Sequence, residues 1–72
     1  MIRPITQVEI GQHFKIPDFH GGYAVCCRRP RPAVFEMIEY AQDLFGLGQK
    51  CVDCGTVVPD DHTLVQVVEI VE

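Results

Sequence analysis

The sequence has no run approaching the ~20 consecutive apolar residues that a membrane-spanning helix needs. Its N-terminus, "MIRPITQVEIGQ", also lacks the apolar core of a signal peptide. Both absences lead to the expectation of a cytoplasmic protein with no membrane partner; if the chain is phage-encoded, the compartment is the host cytoplasm. Basic residues are few: six Lys and Arg against ten Asp and Glu give a formal charge of -4. Direct nucleic-acid binding, which normally draws on a basic field, is therefore not expected. No Ser/His/Asp grouping, phosphate loop or pair of catalytic carboxylates stands out, so the chain does not read as an enzyme.

Length is the next scarcity. A chain of 72 residues is one domain and buries only about 60% of the surface that its unfolded form exposes. A core of that size calls for support from a metal, disulfides or a partner subunit. The composition, 47% hydrophobic and 22% charged, is nevertheless that of a folding globular protein.

Sulfur is what the chain does have. Four cysteines occur, an adjacent pair at Cys26 and Cys27 and a C-x-x-C-G at Cys51 and Cys54. In a reducing compartment such residues are thiols or metal ligands sooner than disulfides. The stretch "QKCVDCGTVV" can be read in two ways. As a continuous strand it would send Cys51 and Cys54 to opposite faces, because strand side chains alternate with period two, and the thiols would pack as small hydrophobes. As a zinc knuckle it needs a sharp turn, which Gly55 permits, and two further ligands. Cys27 or its neighbour Cys26 and a histidine, His62 or His20, are the candidates, so zinc is the one cofactor in view. A thioredoxin-type redox role is disfavoured because the motif precedes Gly-Thr and two valines, not a helix.

Hydrophobic periodicity outlines the rest. Phe14 and Ile16 alternate with His13 and Lys15 as in a half-buried strand beginning near Gln12, and "PDFHGG" then supplies turn chemistry before a return strand "YAVCCR". The prolines of "RRPRP" end that strand. Over residues 32–45 the period changes to that of a helix: Val34, Ile38, Ala41 and Phe45 fall on one face, with Glu36, Glu39 and Asp43 opposite. Strands at "KCVDCGTVV" and "TLVQVVEIVE", joined by the turn cluster "PDDH", complete an expected α+β fold: a small curled antiparallel sheet of four or five strands with one packed helix. The last strand is apolar on both faces, which predicts a homodimer or larger homo-oligomer.

The frame "VEIGQHFKIP...GGYAV" with "KCVDCGTVVPDDHTLVQVVE" resembles a group of short phage- and prophage-encoded proteins. The resemblance is carried by Gly11, Phe14, Gly22, Tyr23, Cys51, Val52, Asp53, Asp60, Thr63, Val65 and Val67. It implies a small, strongly curved antiparallel β-barrel into which the middle of this chain is inserted as a helix. It also implies an accessory role, such as inhibition of a host defence system by binding a host protein or protein complex, and transfers no functional residue. Cys54 departs from the group, which has an aliphatic residue there. Two surfaces are candidate binding sites for such a partner. Arg28, Arg29 and Arg31 on a proline-stiffened loop would meet an anionic one, and Glu36, Glu39 and Asp43 on the helix would meet a basic one. A zinc-stabilised adaptor for nucleic acid or protein is the alternative function.

Overall fold

The computed structural model describes residues 2–18, 21–26, 31–41, 46–59 and 66–71. Six strands form one antiparallel sheet: β1 (Ile2–Pro4), β2 (His13–Lys15), β3 (Phe35–Glu39), β4 (Leu47–Cys51), β5 (Val57–Pro59) and β6 (Val67–Val71), in the spatial order β1-β6-β2-β3-β4-β5. A single 3₁₀ turn at Ile5–Gln7 is the helical element among the described residues. The fold is thus all-β, and the α+β expectation is corrected.

The correction concerns the expected helix at residues 32–45. Phe35–Glu39 is instead a strand that pairs along its whole length with β4, from Phe35 opposite Cys51 to Glu39 opposite Leu47. Its side chains also obey the period of two: Phe35 and Met37 are buried, while Glu36 and Ile38 between them are half-buried on the other face. A five-residue segment can satisfy both periods, so the choice is made by its neighbours. β2 and β4 each pair with β3, and a helix here would leave a row of unpaired backbone groups on both.

Alternation elsewhere sorts the sheet into two faces. Phe14 faces inward between exposed His13 and half-buried Lys15, and its partner across the ladder, Ile70, packs against the same cluster. The core comprises Ile5, Val8, Phe14, Ala33, Phe35, Met37, Cys51 and Val68. Burying each of the large members contributes about 1.5–3 kcal/mol. The rings of Phe14 and Phe35, with centroids 6.0 Å apart, lie at its centre. On the opposite face Lys15 stands across from Glu69, His13 from Glu36, and Glu36 from Lys50. The opposite charges of Lys15 and Glu69 and of Glu36 and Lys50, in directly facing positions, favour this pairing.

Two further expectations change. Of the return strand "YAVCCR", the described residues 23–26 form a single bridge, between Pro17 and Tyr23, with the Ala24 N–H donating to the Ile16 carbonyl at 2.7 Å; Cys27 and Arg28 lie outside the described residues. β5 and β6 are not partners: β5 pairs with β4 at one edge, whereas β6 lies between β1 and β2. One apolar side of β6 is thereby explained by the core, which takes Val68 and Ile70. Among the described residues no helix is long and apolar enough to cross a membrane.

Candidate metal centre

The strand and the knuckle are consecutive parts of "KCVDCG". β4 ends at Cys51, and residues 52–54 turn back before β5 begins at Val57. Two hydrogen bonds close the turn, from the Gly55 N–H to the Cys51 carbonyl at 2.9 Å and from the Cys51 N–H to the Thr56 carbonyl at 2.9 Å. Gly55 takes φ +77°, a left-handed conformation that costs a residue with a Cβ about 1–2 kcal/mol. A third bond, from the Val52 N–H to the Val34 carbonyl at 3.0 Å, anchors the turn to the chain entering β3.

The turn brings the Cys54 sulfur back towards Cys51, and the segment after the Pro17–Tyr23 bridge brings in Cys26. Ala24 fixes that segment, since its carbonyl also accepts from the Ala33 N–H at 2.9 Å. Cys26 packs against the core. The three Sγ atoms all lie within 4.8 Å of one another, and those of Cys26 and Cys54 are 3.5 Å apart. Tetrahedral zinc with Zn–S bonds near 2.3 Å places its sulfurs about 3.8 Å apart. The cluster therefore needs only sub-ångström to ångström adjustment, and three close cysteines can hold a metal ion. Their exposure is graded from buried Cys51 through half-buried Cys26 to exposed Cys54.

Cys54 is held down at about 6, first by the hydrogen bond with the Thr56 hydroxyl 3.1 Å away and then by the Thr56 backbone N–H. Cys26 is pushed up to about 12, first by its hydrogen bond to Cys54 and then by partial burial. A cation at the centre would need the sulfurs as thiolates and so displace protons from them, which couples metal affinity to pH.

Beside the cluster lies an open cleft of about 290 Å³ lined by Lys15, Arg31, Pro32, Val34, Val52 and Asp53. Val52 and Asp53 are the two residues inside C-x-x-C, so the turn from Cys51 to Cys54 forms one wall of the cleft. Arg31 Nη2 and Asp53 Oδ1 are 2.9 Å apart. Lys15 Nζ sits 5.7 Å from the centroid of the Tyr23 ring, and the Tyr23 hydroxyl donates to Glu69 Oε2. That hydrogen bond, together with the Glu69 charge, raises the Tyr23 phenol above its ordinary value.

Of the expected ligands, Cys51 and Cys54 converge as a knuckle requires. Cys26 is the third sulfur among the described residues, whereas Cys27 and His62 lie outside them, as does His20. Of the arginines, Arg31 lines the cleft, while Arg28 and Arg29 lie outside the described residues. Glu36 and Glu39 do not share the surface expected of a helix, because strand residues three apart point to opposite faces; Asp43 lies outside the described residues. The cleft itself escaped sequence reasoning, since Lys15 and Val52 are remote in sequence. No family model matches the chain, and no curated protein or solved structure matches it significantly.

Proposed function

We propose that this chain is a non-enzymatic binding module whose turn and covering loop are held together by zinc, and which meets an anionic group of its partner in the cleft beside the metal. The convergence of three sulfurs from two distant parts of the chain carries the reading. Soft thiolates select zinc, copper(I) or iron–sulfur clusters over hard cations, and a tetrahedral site built on a short turn suits zinc. A structural site is closed by a fourth protein ligand, for which Cys27, His62 and His20 are the candidates among the cysteines and histidines. Lys15 and Arg31 against Asp53 give the cleft a positive balance on a chain of net charge -4, which directs an anionic group there. If the resemblance to phage accessory proteins carries over, the partner is a host protein.

Metal analysis of protein purified without added zinc tests the first half. One equivalent per chain is expected, and less than about a tenth of an equivalent would overturn the reading, given how tightly structural sites hold their ion. Capture of a partner from bacterial lysate tests the second half. It should be lost with Arg31→Glu and kept with Glu39→Ala. Undiminished capture by Arg31→Glu would exclude the cleft.

A further inference from the structure

We infer that Cys26 and Cys54 form an oxidisable pair, and that a peroxide joins their sulfurs in a disulfide which ejects the metal and leaves Cys51 as a thiol. The inference deepens the zinc reading above by naming how the site is regulated. It stands on three features of the geometry.

The first is distance. The Cys26 and Cys54 sulfurs are already 3.5 Å apart, and a disulfide of about 2.05 Å requires them to approach by about 1.5 Å. The second is freedom to move. Cys51 belongs to β4 and is held by hydrogen bonds at both its N–H and its carbonyl. Cys54 lies in the turn and Cys26 lies outside any strand, two residues beyond the Ala24 hydrogen bonds. The third is access. Cys54 is exposed, Cys26 half-buried and Cys51 buried, so an oxidant in solution meets Cys54 first and Cys51 last.

The chemistry closes with hydrogen peroxide as the only added reagent. The Cys54 thiolate attacks one peroxide oxygen and breaks the O–O bond, giving a sulfenic acid and hydroxide. The Cys26 thiolate then attacks the Cys54 sulfur, forms the S–S bond and expels a second hydroxide. Two electrons pass from the sulfurs to the peroxide, and the two hydroxides take up protons to become water. The metal loses two thiolate ligands together. Neither sulfur of a disulfide carries the charge that held it, so the ion leaves and the Cys51 thiolate takes a proton from water. A dithiol such as dithiothreitol reverses the step by exchange.

The experiment treats full-length, zinc-loaded protein with one equivalent of hydrogen peroxide. Zinc release is followed with a chromogenic chelator, and the disulfide is mapped by mass spectrometry after alkylation. The expected result is a Cys26–Cys54 linkage with Cys51 alkylated, one zinc released per disulfide, and recovery of both on adding dithiothreitol and zinc. Cys54→Ser should slow release at least tenfold. Wild-type mapping decides the matter even if that variant folds poorly. A linkage of Cys54 to Cys51 or to Cys27 would overturn the inference, as would zinc retained with no disulfide at one equivalent; in the latter case the metal reading survives. A Cys26–Cys54 linkage in protein that never bound zinc would instead sink the metal reading and leave the oxidisable pair standing.

Discussion

Removing the metal should lower the melting temperature by about 10–30 °C, and the structure allows that figure to be worked out. A chain of 72 residues at about 0.05–0.15 kcal/mol per residue has a total stability of roughly 4–11 kcal/mol. A ligand that binds only the folded state adds about 2.7 kcal/mol at one hundred times its dissociation constant and about 4.1 at one thousand times. In a domain of this size each kcal/mol moves the midpoint by about 4–8 °C. Circular-dichroism melts with and without a strong zinc chelator measure the difference. Zinc, but not magnesium, should restore the lost stability, because thiolate ligands are soft. Cys54→Ser is the clean variant. Its side chain is exposed, so in chelator it should melt with the metal-free wild type, whereas in zinc it should lose most of the gain. Cys51→Ser is a poorer probe because it buries a hydroxyl, at a cost of about 1–3 kcal/mol whether or not metal is present. Protein verified as metal-free that melts within about 2 °C of the zinc-loaded form would refute the reasoning, since folding energy and metal-binding energy should be one quantity here.

A Cβ at Gly48 would lie 2.8 Å from Tyr40 Cβ and 3.2 Å from the Val58 carbonyl oxygen, so Gly48→Ala should cost about 1–3 kcal/mol in denaturant melts. Tyr40→Ala keeps the Cβ that makes the 2.8 Å contact, so combining the two should recover little of that cost, and a large recovery would show that the ring is the obstacle. Gly55→Ala meets nothing within 4 Å but sits at φ +77°; it should cost about 1–2 kcal/mol through backbone strain alone, and a neutral result would mean that the turn is not left-handed in solution. The raised Tyr23 phenol favours its protonated form in the folded state, so its contribution is complete below its ordinary value of 10.0 and is lost as pH rises through the higher folded value. Tyr23→Phe should therefore flatten the alkaline limb of stability against pH, and identical limbs for the two proteins would dismiss the Tyr23–Glu69 bond.

How legible this molecule was depends on the range over which each feature is decided. Phe14 between His13 and Lys15 declared a strand because three residues are enough to show alternation. Gly55 declared a turn because a positive φ is a property of one residue. Phe35–Glu39 could not declare itself. Its apolar residues satisfy period two through Phe35 and Met37, and period 3.6 through Ile38 with the preceding Val34, and the tie is broken by pairing with β2 and β4. The order of the sheet is equally non-local, which is why adjacency in sequence wrongly suggested a β5–β6 hairpin. That Cys26 joins the cluster was hidden for a related reason. Alternation in an extended strand would have decided which sulfur faces Cys51, but the chain leaves ladder geometry after the Tyr23 bridge.

The position of the sulfur cluster bears on how the core face of the sheet is covered. One face of the six strands carries the core, and no packed helix lies over it among the described residues. What covers it is the 3₁₀ turn that buries Ile5, together with the chain that carries Cys26 and Ala33 against Phe35 and Cys51. Among its described residues, the Ala24 N–H donates to the Ile16 carbonyl, the Ala33 N–H donates to the Ala24 carbonyl within the same chain, and the Val34 carbonyl accepts from the Val52 N–H, each bond worth on the order of 1 kcal/mol net. A metal bound by Cys26 on the covering chain, and by Cys51 and Cys54 at the end of β4, ties cover to sheet at the corner where Phe35 meets Cys51. The same tie fixes Val52 and Asp53 as a wall of the cleft. On the proposed zinc reading, stability and the shape of the cleft would depend on one cross-link, so an agent that removes the metal should act on both together.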